Sequence, residues 1–206
     1  MQVATRRSGE ERREEIVTAY LALAAEGDPG RITTGQLAER VGVTQGALFR
    51  HFADKEAMVE AVVDWVAAGL MGAVGGALAG VESGRELEAL RRAFLAHAAF
   101  VDRHPGGPRV ILSELQHAGG AGALRAAGDL MRGYRGLVER VMRRGCEAGV
   151  LRADLDVRAA SGVYLGALQG LLVQALVSGR TASVAKTAPG AWSVLQVAFA
   201  EGGKQR

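Results

Sequence analysis

The sequence predicts an all-α fold, and three observations predict it. Apolar residues recur at spacings of three and four along most of the chain, the period of a helix with one buried stripe. No segment alternates apolar and polar residues with the period of two that a half-buried strand requires. Breakers and caps, among them Gly27-Asp28-Pro29-Gly30, Gly42, His104-Pro105-Gly106-Gly107-Pro108 and Gly119-Gly120, cut the chain into about nine helical lengths.

The elements follow in order. Residues 10–25 carry Ile16, Val17, Tyr20, Leu21, Leu23 and Ala24 on one stripe, with glutamates at the positive end of the helix dipole. Thr33 and Gln36 fit a capping box, opening a short helix that Gly42 stops. Thr44 caps a second short helix, Gln45 to His51, with Leu48 and Phe52 pointing inward. Asp54 opens a longer helix through Met58, Val62 and Trp65 to about residue 80. Its uncharged, glycine-rich end predicts a weakened or kinked section, since each interior glycine costs about 0.5–1 kcal/mol relative to alanine. Further helices are expected over 84–103, over 108–117 with Pro108 at the first helical position, and over 121–148. Another, capped by Asp154 or Asp156, runs to about Ser178, and the last spans 189–201.

The chain has 206 residues, 49% hydrophobic and 23% charged, with mean hydropathy +0.09. That composition belongs to a globular chain with its own core rather than a disordered one. The lone Cys146 forms no intrachain disulfide, and the first thirty residues lack an apolar signal core, so a cytoplasmic protein is expected. Residues 159–179 form a run of 21 without formal charge, long enough for a bilayer core of about 30 Å. Ser161, Gln169, Gln174 and Ser178 interrupt it, so it reads as a buried or interface helix, with no membrane partner. Gly162, Gly166 and Gly170 share one face of that helix and would let a second backbone approach closely, which suits a homodimer interface.

Net charge is +3, but the basic excess lies late in the chain. Through Ala68 there are 8 Arg and Lys against 11 Asp and Glu, a balance of −3. An N-terminal nucleic-acid site must therefore use a local basic surface. Arg6, Arg7, Arg12 and Arg13 on the leading arm are candidates, with Arg50, His51 and Lys55 further on.

Residues 33–52 read as helix-turn-helix. Two helices crossing through a short turn need a small residue at the contact, here Ala38, and glycine in the turn, here Gly42. Leu37, Val41, Val43 and Leu48 seal the joint. The second helix shows Gln45, Gly46, Ala47, Phe49, Arg50 and His51 outward, a thinly padded face for a major groove about 12 Å wide.

The longer pattern resembles the TetR/AcrR family of bacterial transcriptional regulators. It comprises an arginine-bearing arm, Ala25-Glu26-Gly27, Ile32-Thr33-Thr34, Leu37-Ala38-Glu39-Arg40-Val41-Gly42-Val43 and Ala47-Leu48-Phe49-Arg50-His51-Phe52-Ala53-Asp54-Lys55-Glu56-Ala57-Met58. The resemblance covers about residues 10–66 closely and the rest only in layout, through Gly149-Val150-Leu151-Arg152 and Gly166-Ala167-Leu168-Gln169-Gly170-Leu171-Leu172. It implies that Thr34 and Lys55 meet phosphate in double-stranded DNA. It also implies that the recognition helix reads bases and backbone through Gln45, Gly46, Ala47, Phe49, Arg50 and His51. Phe49 stands where relatives commonly carry tyrosine, and Ala47 replaces a frequent threonine. Gly35 stands where relatives can carry a base-reading side chain, which concentrates direct base reading on Arg50 and Gln45.

The resemblance further implies an N-terminal three-helix DNA-binding domain, residues 1–53 with the basic arm. A regulatory and dimerisation bundle, residues 54–206, follows. Phe94, His97, Met131, Tyr134, Tyr164 and Leu168, chosen by helix face, would line a pocket for a small hydrophobic or amphipathic effector. The expected function is a ligand-responsive regulator, a repressor released from a palindromic operator. The alternative is an effector-independent architectural or division-linked DNA-binding protein of the same fold. No enzymatic motif stands out, and His97, His104, His117 and Cys146 lack the spacing of a metal motif. No cofactor or metal is expected.

Overall fold

The computed structural model describes residues 9–117, 121–178 and 184–200. The described residues form nine α-helices: α1 Gly9–Glu26, α2 Thr34–Val41, α3 Gln45–Leu48, α4 Lys55–Leu78, α5 Glu86–Arg103, α6 Gly106–His117, α7 Ala121–Glu147, α8 Val157–Val177 and α9 Val184–Phe199. A 3₁₀ turn, Pro29–Arg31, joins α1 to α2. Extended pairing among the described residues is confined to one antiparallel bridge, Leu151 with Ala200.

Packing divides the chain into two compact units. One contains the described residues of Met1–Ala67 and His104–Ala127, the other those of Ala68–Arg103 and Gly128–Arg206.

In the first unit, Ile16, Val17, Tyr20, Leu21 and Ala24 of α1 are buried, as are Leu37, Leu48, Phe52, Met58 and Val62. Helix α6 packs on α1 and begins at Gly106, not at Pro108 as the sequence suggested. The reason is steric. A Cβ on Gly106 would lie 2.0 Å from the Leu21 carbonyl oxygen, and one on Gly107 would lie 3.0 Å from a Val66 methyl. Both glycines belong to the helix because only they fit its seat. The expected stop at Gly119-Gly120 lies outside the described residues.

In the second unit, α5 packs chiefly on α9, and α9 on α8. Helix α4 shows no break at Gly69, Gly72, Gly75 or Gly76 and ends before Gly80, whose φ is +62°. Gly69 has a packing role, since a Cβ there would lie 2.8 Å from the Phe100 ring. Beyond α4, Arg144 donates to the Val81 carbonyl at 2.9 Å and stands 3.5 Å from the buried Glu86 carboxylate. The other Glu86 oxygen accepts from the Gly84 amide at 2.9 Å. Asp156 caps α8 by accepting from the Ala159 amide at 3.0 Å. Asp154 instead pairs with Arg152, and that guanidinium holds its carboxyl below the usual carboxylate range.

Helix α9 starts at Val184, five residues before the expected start, and Pro189 lies inside it. Val184 and Ala188 are buried, which carries the apolar stripe back past the proline. An Asp102 oxygen accepts from the Ala185 amide at 3.2 Å and anchors this early start. Two of the described helices, α4 and α8, are long and apolar enough to cross a membrane by length and composition.

Candidate functional site

The joint between α2 and α3 is built from local chemistry. The Thr33 hydroxyl accepts from the Gln36 amide at 3.2 Å, and the Gln36 side-chain oxygen accepts from the Thr33 amide at 2.9 Å. This reciprocal pair satisfies two donors that the start of a helix leaves free. Gly42 ends α2 with φ +72°, a left-handed conformation that glycine adopts without a Cβ penalty. The Val43 amide then donates to the Ala38 carbonyl at 2.9 Å. Thr44 caps α3, its hydroxyl accepting from the Ala47 amide at 3.3 Å. Ala38 and Leu48 are buried at the crossing.

Helix α3 is shorter than the sequence suggested, ending at Leu48 instead of His51. The Leu48 carbonyl accepts from both the His51 and Phe52 amides, at 2.9 and 3.1 Å. Phe52 is buried, and drawing its ring into the core tightens the chain into a turn. Arg13 braces that turn from α1. It donates to the His51 carbonyl, and its guanidinium carbon stands 4.2 Å over the Phe52 ring centroid, within cation–π range. Arg13 is thus engaged in holding the joint, and Arg12 pairs with Glu15 at 2.7 Å. Arg6 and Arg7 lie outside the described residues.

Gln45, Gly46, Phe49 and Arg50 are exposed together, with Ala47 and His51 half-buried beside them and Thr34 and Lys55 half-buried on flanking helices. Phe49 is 46% exposed, an apolar ring held out in solvent. Arg50 and Lys55 make no ion pair among the described residues. Gly35 clears room for Gln45, whose Nε2 lies 2.9 Å from where a Cβ on Gly35 would stand. The resulting face offers an amide, a free guanidinium and an ammonium on a rigid support, the donor chemistry that base edges and phosphates accept. Sequence reasoning missed the Glu26–Arg40 pair, bonded at 2.6 and 2.9 Å, which ties the end of α1 to α2. It lowers the Glu26 carboxyl below its usual range, chiefly through the Arg40 hydrogen bond. No short motif marks a pair fourteen residues apart.

The effector residues expected from sequence all fall in the second unit. Phe94, Tyr134, Tyr164 and Leu168 are buried, and Met131 and His97 are partly so. Phe94, His97, Tyr134 and Tyr164 join one aromatic cluster. The Tyr164 hydroxyl is committed to the Leu90 carbonyl at 3.0 Å. The Met131 sulfur lies 3.5 Å from the Gln169 amide nitrogen. Trp192 belongs to the cluster but was not among the expected lining residues, although it falls within the helix expected over 189–201.

On α8, a Cβ on Gly162, Gly166 or Gly170 would meet no atom within 4 Å. Val163, Val173 and Val177 are exposed on the same helix, as are Val194 and Val197 on α9. Val163, Gly166, Gly170, Val173 and Val177 follow one another at threes and fours, a single small and apolar stripe.

Comparison with known proteins agrees with this geometry. Residues 16–62 match the family model described as bacterial regulatory proteins, tetR family. The nucleoid occlusion factor SlmA of Vibrio vulnificus is 38% identical over 102 residues, 48% of this chain and 50% of that protein. SlmA of Vibrio cholerae is 37% identical over the same share of each chain. The chain thus spans about half the length of the curated relatives it matches. Among solved structures, the TetR family regulator PfmR from Thermus thermophilus superposes with TM-score 0.73 at 23% identity, covering 93% of this chain and 99% of that one. The fatty acid degradation regulator FadR from Bacillus halodurans does so with TM-score 0.77 at 16% identity, covering 98% and 100%. These structures share the fold across both units. The match of residues 16–62 thus likens the helix-turn-helix segment to the tetR family of bacterial regulatory proteins, and over the rest of the chain the likeness is one of fold.

Proposed function

We propose that the protein is a cytoplasmic, homodimeric transcriptional regulator that binds a palindromic operator and is released by a small hydrophobic or amphipathic effector. The observation that carries the reading is the α3 face. Gln45, seated over Gly35, opens a helix capped at its start, and an unpaired Arg50 stands in the turn that follows, which Arg13 braces. Residues 1–53 would supply the DNA-reading module and residues 54–206 the regulatory and dimerisation part.

In this mechanism Arg50 pairs with guanine and Gln45 with adenine in the major groove. Thr34 and Lys55 hold phosphate, while Gly46 and Ala47 allow close approach of the helix to the groove floor. Phe49 and His51 contact sugar and backbone. Two recognition helices must lie about 34–36 Å apart to enter successive major grooves. The glycine and valine stripe on α8, with Val194 and Val197 on α9, is the surface proposed to pair with a second copy and set that spacing. Covering those valines in a dimer also accounts for the apolar length of α8 without a membrane. The effector would bind at the aromatic cluster and shift α4, which belongs to both units by chain. A ligand moves such a balance only by its differential affinity for the two states.

The test is selection of bound sequences from random duplex DNA, with sedimentation of the complex. A palindromic consensus bound by two chains supports the reading, whereas monomeric protein with no sequence preference rejects it. A second reading has its own support, because SlmA, the curated relative described above, is named a nucleoid occlusion factor. Under it the protein binds many chromosomal sites without an effector, and genome-wide footprinting separates the two by the number of sites occupied.

A further inference from the structure

A groove of about 290 Å³ lies on the second unit, between the start of α5, the turn after α7 and α9. Leu87, Val150 and Trp192 give it apolar walls, and Arg85, Glu88, Arg91 and Gln196 line its polar side. Its volume is near the lower end for small-molecule sites, about 300–1,000 Å³. None of the six residues expected to line an effector pocket borders it. It meets the aromatic core only through Trp192, which stands 5.8 Å from Phe94 between ring centroids.

Two observations give the groove a chemistry, and the first is charge. Arg85 makes no ion pair among the described residues. Arg91 pairs with Glu88 at 3.4 Å, both side chains being about half exposed. An exposed pair of this kind contributes little to stability, so Arg91 is available to a ligand. The neighbouring Glu86 carboxylate is buried and stands 3.5 Å from Arg144, which matches its charge. Two guanidiniums therefore border the groove against one carboxylate, Glu88, a balance of +1.

The second observation is Trp192. The side chain is 2% exposed, and its Nε1 has no hydrogen-bond partner among the described residues. An indole N–H donates and cannot accept, and a buried donor left unpaired is costly. Arginine is likewise a donor only, in a fork that matches a carboxylate. A groove weighted in this way towards donors and positive charge suits an anionic acceptor, and its apolar walls suit a ring. On α9, Trp192 and Gln196 are four residues apart and share a face, whereas Val194 and Val197 lie on another. A dimer formed across those valines would leave the groove open.

The geometry points to a binding site here for a small organic carboxylate with a flat apolar body, the carboxylate held by Arg85 and Arg91 and the body lying against Leu87, Val150 and Trp192. This site is separate from the effector place proposed above and does not rest on that reading, since its test reads binding alone.

The test uses the full chain near pH 7 and three probes that differ in charge: 2-naphthoate, 2-naphthalenemethanol and protonated 2-naphthylmethylamine. Calorimetry gives the affinities. Trp65 and Trp192 are the two tryptophans of the chain, so nitrogen-15 NMR resolves two indole N–H signals, assigned with Trp65→Phe. One charge-assisted hydrogen bond corresponds to about a tenfold difference in Kd. 2-Naphthoate is therefore expected to bind about tenfold more tightly than the alcohol, with the ammonium weakest, and to shift the Trp192 signal but not that of Trp65. Arg85→Gln, an exposed substitution, should remove most of this preference. Glu88→Gln frees Arg91 and removes the one carboxylate of the groove, so it should tighten 2-naphthoate by about two- to fivefold, a gain that misfolding cannot produce. The inference is overturned if 2-naphthoate fails to bind at millimolar concentration, binds no more tightly than the alcohol, or leaves the Trp192 signal unmoved. It is overturned equally if both variants keep the parent affinity, which would place the bound probe outside the groove.

Discussion

A Cβ on Gly35 of α2 would stand 2.9 Å from Nε2 of Gln45 on α3. The missing side chain on one helix thus gives the amide on the next its place at the head of the reading face. Gly35 seen alone is a gap in the reading surface. Seen with Gln45 it is a clearance, and the two positions act as one contact.

Gly35→Ala should therefore change selectivity more than stability. Alanine is the better helix former by about 0.5–1 kcal/mol, and the displaced atom is the far end of a flexible side chain. Gln45 would rotate away, and discrimination at the base pair it reads would fall by up to about 1–3 kcal/mol. Binding to a set of operators, each altered at one base pair, is the measurement. An unchanged selectivity profile would show that Gln45 does not read bases from this position.

Arg50 and Lys55 differ in what they should recognise. Arg50→Ala is expected to relax specificity at one position, by about 1–3 kcal/mol, whereas Lys55→Ala should weaken all duplexes about equally and reduce the salt slope by about one. Titrations of operator and random DNA at several salt concentrations separate these outcomes. Equal losses on both duplexes for Arg50→Ala would remove it from the base-reading set.

The helix-turn-helix was legible because its signals are local: Thr33 with Gln36, Gly42 and Thr44 each act within four residues. Features set by distant packing were not. Helix α3 stops at Leu48 because Phe52 must reach the core and Arg13, 39 residues before Phe52 in the sequence, covers its ring. Helix α6 starts at Gly106 because the Leu21 carbonyl leaves no room for a side chain. Helix α9 starts before Pro189 because Asp102 supplies an acceptor to the Ala185 amide. The candidate effector residues were found through helix periodicity, which identifies an inward face. It does not reveal that the Tyr164 hydroxyl is committed to the Leu90 carbonyl, nor that Trp192 joins the cluster.

Gly106→Ala tests the seat of α6. The clash is with backbone, 2.0 Å from the Leu21 oxygen, so no side-chain rotation relieves it. Overpacking of this kind costs about 1–3 kcal/mol or more, and a chain of this size loses about 2–4 °C in Tm per kcal/mol. Thermal unfolding of the variant should show a drop of several degrees. A Tm equal to that of the parent chain would mean that α6 is not seated tightly on α1. Ala25→Gly, whose amide lies 3.1 Å from the same Cβ position, leaves that carbonyl in place and should not rescue the variant.

The pH dependence of stability tests the burial of His97. Desolvation holds its folded pKa at about 4, below the ordinary value of 6.5. Above pH 6.5 the ring is neutral in both folded and unfolded chains, and its contribution is fully present. As pH falls from there towards 4, the unfolded chain takes up a proton that the folded chain refuses, and stability is lost. Between about pH 7.5 and pH 4.5 the loss from this one group is about 2–3 kcal/mol. His97→Leu removes the titrating group, so the variant should lose less stability than the parent over that interval. Other titrating groups, including the Glu26 and Asp154 carboxyls lowered by their arginine partners, are common to both chains and cancel in the comparison. Urea denaturation of both chains at the two pH values supplies the four free energies required. Parallel losses in parent and variant would place His97 in contact with solvent.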